Sequence, residues 1–240
     1  MFNPFSILTR GDSSEEFAKS HPVGFLKLCD DAVRYPMLCS SPGFVTPNRV
    51  DERPRCTKTE DQGKKPWCAA YAATQFAENI LWRRNGYPED IDPSIIYSHA
   101  KTVDGDPNGD GTSIPAVLSG LTRYGYFDGS RCHTRIIGKN ETDVKFALHR
   151  FGVFLGGFNV TREWYQCNRR KTAICSKYIL PGLGGHCVLV CGYDGDGVYV
   201  LNSWGADWGE YGFALVTWKC FQEQFVYGGV LDNCLDDMKL

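Results

Sequence analysis

Net charge, long apolar runs and internal repetition are all scarce in this chain of 240 residues. Lys and Arg number 26 against 28 Asp and Glu, a formal charge of −2. A balance this close gives no basic face for nucleic acid and no polybasic patch for an anionic membrane, so both partner classes are set aside. No apolar stretch approaches the ~20 residues that a membrane-spanning helix requires. No segment recurs at solenoid spacing. The opening MFNPFSILTRGDSSEEF has no basic residues ahead of its short apolar stretch, so no signal peptide is expected.

Cysteine is not scarce. The chain has 11, and setting one aside as a nucleophile leaves an even ten, compatible with disulfides. The expected lack of a signal peptide points instead to a reducing compartment, where thiols stay free. Reduced thiols are the expectation on balance. Asn140-Glu-Thr and Asn159-Val-Thr are glycosylation sequons, relevant only if the chain enters a secretory route.

Residues 1–44 read as a separate N-terminal segment. Ser13 and Glu16 have capping-box spacing, and Phe25, Leu28, Ala32 and Val33 recur at helical intervals. Pro22, Pro36, Pro42 and Pro47 cut this part into short pieces. After a loop-like stretch the strongest helix of the chain begins near Cys68 and runs through CAAYAATQFAENILWRR. Ala69, Ala72, Ala73, Phe76, Ile80 and Leu81 give it a broad apolar face, as a buried central helix has. Further helices are predicted over Pro93–Lys101 and Ile114–Tyr124, with Gly125 as a stop. From Arg135 onward the segments FGVFLGGFNV, HCVLVCGY and GVYVLNSW are short, apolar and rich in β formers. Helices mainly in the first half and strands in the second indicate an α+β architecture.

Cys68 sits where the long helix begins, and the unpaired backbone N–H groups there favour a thiolate. Among the five histidines, His186 follows Gly185 and precedes an apolar strand that would hold it rigidly. Asn202 ends the next apolar strand, where its amide can accept the imidazole N–H and orient the ring. Taken alone this set is weak, because a cysteine in an alanine-rich helix is more often structural.

The surrounding motifs add weight. Gln62 through Cys68 reads QGKKPWC and resembles the papain family's Q-G-x-C-G-S-C segment. Gly184 through Tyr193, GGHCVLVCGY, is similar to that family's histidine strand. Asn202 through Gly209, NSWGADWG, resembles its N-S-W-G-x-x-W-G motif. Val50-Asp51-Glu52-Arg53 is similar to the V-D-x-R at the start of the mature enzymes, and Asp104 to Gly125 resembles the far wall of the cleft. The resemblance, to the papain-like cysteine peptidases, covers residues 45–218. It implies a helical subdomain with a central helix, an antiparallel β-barrel-like subdomain, and an active-site cleft between them within one domain, 45–240. It also implies that Cys68, His186, Asn202 and Gln62 are catalytic, Gln62 as an oxyanion donor. Asp110, Gly111, Gly185 and Trp204 would bind substrate, with Trp204 also shielding the His186–Asn202 bond.

The chain departs from the family in two places. Lys65 stands where the family carries a disulfide cysteine, and the partner's stretch reads Asn108-Gly-Asp-Gly. Ala69 replaces the tryptophan after the nucleophile. These departures, with the short N-terminal segment, look more like the bacterial and viral branch. Because no signal peptide is expected, a cytoplasmic location, or packaging in a viral particle, is expected rather than secretion. Asp104-Gly-Asp-Pro-Asn-Gly-Asp begins like a calcium loop, but its twelfth position is Pro115 where a glutamate is required, so a substrate-facing turn is expected. Cys187 and Cys191 share one face of a strand and read as structural thiols rather than zinc ligands.

The expected activity is peptide-bond hydrolysis on polypeptides with no metal or cofactor. Two alternatives stay open: amide transfer or deamidation by the same thiol, and a retired peptidase serving as a binding or structural module. Residues 1–44 would then be either a short prosegment or a docking arm.

Overall fold

The computed structural model describes residues 20, 21, 23, 34–175 and 185–234. The capping box and apolar pattern expected between Ser13 and Val33 lie outside the described residues.

Helix α1 spans Cys68–Asn85 and ends at Gly86, whose φ of +83° favours glycine and whose N–H bonds Trp82 O. Every residue from Cys68 to Leu81 is buried, so the helix is enclosed on all sides rather than on one broad face. Its alanines make this possible, because a methyl lets neighbouring elements approach closely. Two of its buried polar residues find partners: Thr74 Oγ1 donates to Ala70 O, and Asn79 Nδ2 donates to Arg55 O.

Helix α2 runs Pro93–Asp104, three residues beyond the expected end, to Gly105 in the left-handed region. Asp92 caps it by accepting the Ser94 N–H, and Pro93 needs no donor at this position. Helix α3 covers Ile114–Arg123 under a Ser113 cap. The two helices pack on each other and on α1.

The strands are β1 (Val50–Asp51), β2 (His133–Ile137), β3 (Phe154–Asn159), β4 (Ala173–Ile174), β5 (Gly185–Tyr193), β6 (Gly197–Leu201), β7 (Phe213–Thr217) and β8 (Phe225–Asp232). They form one sheet in the order β2-β8-β3-β5-β6-β7-β4, with β1 on β5. All pairings are antiparallel except β4 with β7. Strand β5 is buried along its whole length and packs against α1, joining the helical and sheet halves. Behind it, Phe158, Trp164, Phe221 and Phe225 form a ring-on-ring core; fully burying each contributes roughly 1.5–3 kcal/mol.

Three helices interrupt the half expected to hold strands: α4 (Glu141–Phe151), α5 (Arg162–Gln166) and α6 (Trp218–Gln224). The cap of α4 is Asn140, whose side chain accepts from Thr142 N and Asp143 N. One of the two sequons is therefore also a helix start. Cys132 and Cys234 are joined by a disulfide that closes the β2 and β8 ends, against the expectation of reduced thiols. The other eight described cysteines form no disulfide.

Candidate active site

The site gathers at the junction of α1 and the sheet. Cys68 is the first residue of α1 and is fully buried. Trp67 precedes it as the N-cap without a side-chain cap bond, so the positive end of the helix dipole falls at the thiol. The helix that carries Cys68 packs on strand β5, which carries His186.

His186 lies opposite Phe158 in the β3–β5 ladder and is also fully buried. Pairing of Leu189 with Leu201 brings the end of β6 alongside, and Asn202 comes next. His186 Nε2 donates to Asn202 Oδ1 at 2.7 Å. This bond assigns the ring proton to Nε2 and leaves Nδ1, which has no hydrogen-bond partner among the described residues, as the basic nitrogen. Asn202 is itself held: its N–H donates to Gly212 O at 2.9 Å, and its Oδ1 also accepts Ser203 N.

Aromatic rings enclose this pair. Trp204 stacks on the imidazole at 4.5 Å and 29°, and Tyr165 stacks on Trp204 at 4.9 Å and 15°. Trp208 anchors the surroundings by donating Nε1–H to Trp164 O, while Trp164 donates to Gln224 Oε1. Gly209 closes the motif with φ +57°; a Cβ there would meet Phe213 O at 2.2 Å, so a side chain cannot be accommodated. Burial in this box pushes the His186 pKa down to about 4. The Asn202 bond opposes the fall, and the neighbouring charge of His21 adds to it.

Gln62 reaches the same place from a third stretch of chain. Its N–H donates to Ser203 O, its Oε1 accepts the Ser203 hydroxyl at 2.8 Å, and its Nε2 donates to Lys65 O at 2.9 Å. Asp61 pairs with Trp204 and Gly205 N with Glu60 O, so residues 60–62 are sewn to the Asn202 motif. Gln62, Asn202 and Trp204 thus form one unit despite their separation in the chain.

Of the residues expected to contact substrate, Gly185 is the first residue of β5, and Trp204 is 2% exposed under the imidazole. Asp110 and Gly111 lie on another element, the loop between α2 and α3, where Gly111 takes φ +76°. Lys101 holds that loop: its buried ammonium bonds Asp104 at 3.1 Å and Gly111 O at 3.2 Å. Thr112 donates to the same Asp104 oxygen. The first carboxylate of the calcium-like stretch is therefore already paired with a cation. Cys187 and Cys191 are both fully buried, and burial raises both thiol pKa values.

Sequence reasoning missed Trp67, Tyr97, Lys101, Tyr165 and His21. Tyr97 and Lys101 are four apart on a helix and so share a face, which was a legible signal. His21 carried none. Its Nε2 lies 3.1 Å from Asp61 Oδ1, and its ring lies 6.2 Å from Trp204.

No protein-family model matches the chain. It is 28% identical over 136 residues to cathepsin B-like cysteine proteinase 4 of Caenorhabditis elegans, covering 50% of this chain and 39% of that protein. It is 21% identical over 204 residues to cysteine proteinase 3 of Entamoeba histolytica, covering 72% of this chain and 63% of that protein. The chain thus spans less than two thirds of the length of either relative. The crystal structure of xylellain, a cysteine protease from Xylella fastidiosa, superposes with a TM-score of 0.73 at 20% identity, over 89% of this chain and 96% of that one. With the central helix, the sheet and their junction arranged as described, the chain has the papain-like fold.

Proposed function

We propose that the chain is a cysteine endopeptidase acting on polypeptides, with Cys68 as nucleophile, His186 as base and acid, Asn202 as the orienting residue and Gln62 as an oxyanion donor. The observation that carries this reading is the His186–Asn202 bond at 2.7 Å, which leaves Nδ1 as the basic nitrogen, beneath the Trp204 ring. The cysteine proteinases of C. elegans and E. histolytica support the same class of chemistry.

The thiol proton passes to His186 Nδ1 and the sulfur attacks the peptide carbonyl carbon. Charge then develops on the carbonyl oxygen, where the Gln62 amide and the Cys68 N–H at the helix start stabilise it; one such donor is worth roughly 3 kcal/mol. The C–N bond breaks as His186 returns the proton to the leaving amine, giving a thioester. Water attacks that thioester while His186 takes its proton, and the thiol is released. Trp204 keeps water from the His186–Asn202 bond and so strengthens it.

Residues 1–44 are proposed to restrict the cleft. His21 sits against Trp204 and Asp61, and residues 36–38 bond Ile136 at the β2 edge of the sheet. Burial and His21 both hold His186 neutral in this covered arrangement, so uncovering the site favours the imidazolium that an ion pair with Cys68 needs. Lys65 and Ala69 support kinship with the bacterial and viral branch of the family.

The test is labelling with an epoxysuccinyl peptide followed by peptide mapping, together with turnover of a proteome-derived peptide library. Cys68 should be modified far faster than the other cysteines, and Cys68→Ala should show no cleavage. Wild-type cleavage by Cys68→Ala would end the assignment, and release of ammonia from side-chain amides without cleavage would favour the deamidase reading.

A further inference from the structure

The loop before the nucleophile and the opposite wall of the site are joined by side chains, with Lys65 at the point where the resembling family has a cysteine. Trp67 and Tyr97 stack face to face, their centroids 4.3 Å apart and their planes 16° apart. The Lys65 ammonium lies 4.7 Å from the Trp67 ring centroid. From the other ring, the Tyr97 hydroxyl donates to Gly109 O at 3.3 Å. One turn along α2, Lys101 lies 5.9 Å from the Tyr97 ring and bonds Asp104 and Gly111 O. Toward the nucleophile, Gln62 and Lys65 exchange two bonds, Gln62 Nε2 to Lys65 O and Lys65 N to Gln62 O. A continuous series of contacts therefore runs from Gln62 through Lys65, Trp67 and Tyr97 to Gly109 and Gly111.

Trp67 has a second attachment. Its carbonyl accepts the N–H groups of Ala70 and Tyr71, so its backbone is the start of the turn that carries Cys68. Fixing its ring fixes that turn. A flat stack resists sliding and tilting because both overlap and ring electrostatics favour one offset, and the Lys65 cation adds attraction to the electron-rich face.

We infer that Trp67 and Tyr97 are positioning residues, which hold the Gln62 loop, the first turn of α1 and the Gly109–Gly111 wall in one arrangement without a covalent bridge. The inference rests on the peptidase reading for its role, but the coupling itself does not depend on turnover.

The experiment uses the full chain and the variants Trp67→Ala, Tyr97→Ala, the double alanine, Trp67→Phe and Tyr97→Phe. Readouts are kcat and KM on a cleavable peptide, the pH profile of iodoacetamide alkylation at Cys68, and thermal unfolding. Each alanine variant should lower kcat about tenfold and move the alkylation profile toward that of an ordinary thiol. The double variant should lose little more than either single one, since the two rings act as a unit. The phenylalanine variants, which keep a flat face, should stay within about threefold of wild type. Trp67→Leu, which keeps apolar bulk without that face, should behave as alanine does and serves where the alanine variants fail to fold. Folded variants with unchanged kcat and alkylation profile, or losses that multiply in the double variant, would overturn the inference. A wild-type chain without turnover would sink the peptidase reading alone; the alkylation profiles would still decide whether the stack positions Cys68.

Discussion

Glu78 should make the stability of this chain fall as pH rises from mildly acidic to neutral. The side chain is enclosed within α1 with no exposed surface. Its Oε1 accepts the Ile91 N–H at 2.9 Å, and its Oε2 accepts the Thr57 hydroxyl. Removal from water raises its pKa from the ordinary 4.5 to about 7. The charges of Glu60 and Asp90 add to the rise, and the two donors oppose it. Between these values the folded chain holds a proton that the unfolded chain has released. The stabilisation is therefore complete below pH 4.5 and is lost as pH rises through about 7. At about 1.4 kcal/mol per pH unit the gap amounts to ~3 kcal/mol.

The perturbation is Glu78→Gln, which copies the neutral acid: its amide oxygen accepts the Ile91 N–H, and its NH2 donates to Thr57. Thermal unfolding of both proteins, followed by circular dichroism from pH 4.5 to 8, isolates this group because all others cancel in the difference. The two should match at the acidic end. At pH 8 the variant should be more stable by ~3 kcal/mol, or roughly 6–12 °C in Tm for a chain of this size. Parallel curves for the two proteins across the range would refute the argument.

Asn202→Ala should lower kcat roughly 100-fold, at the lower end of what general acid–base catalysis contributes, with folding retained, because the imidazole loses its anchor while Trp204 still covers it; steady-state kinetics with a circular dichroism control checks this. A chain starting near Phe44 should show several-fold higher kcat/KM on a small peptide than the full chain; equal values for the two folded forms would leave residues 1–44 as a docking arm.

The central helix was legible because alanine spacing and the Gly86 stop both act locally. The ends of α2 and α3 fell within a few residues of expectation, since Asp92, Gly105 and Ser113 each cap a helix through their own backbone neighbours. Helix α4 carries an equally local signal: Val144, Ala147, Leu148 and Phe151 repeat at helical spacing after the Asn140 cap, but they stand between strand-like segments and the cap residue doubles as a sequon. The Cys132–Cys234 bridge was not legible, because which of several thiols meet depends on where β2 and β8 end beside each other.

The sequence by itself determined the chemistry on offer: a thiol at a helix start, an imidazole entering a buried strand, an amide leaving the next, and two tryptophans each followed by a glycine. These are properties of single residues and short spacings, so they survive without coordinates. Only the tertiary structure decided that Gln62 and Ser203 bond to each other, that Trp204 and Tyr165 wall off His186, that burial lowers its pKa, and that Trp67 meets Tyr97. Desolvation and stacking depend on what the rest of the chain places within a few ångströms of a residue, and no local pattern encodes that company.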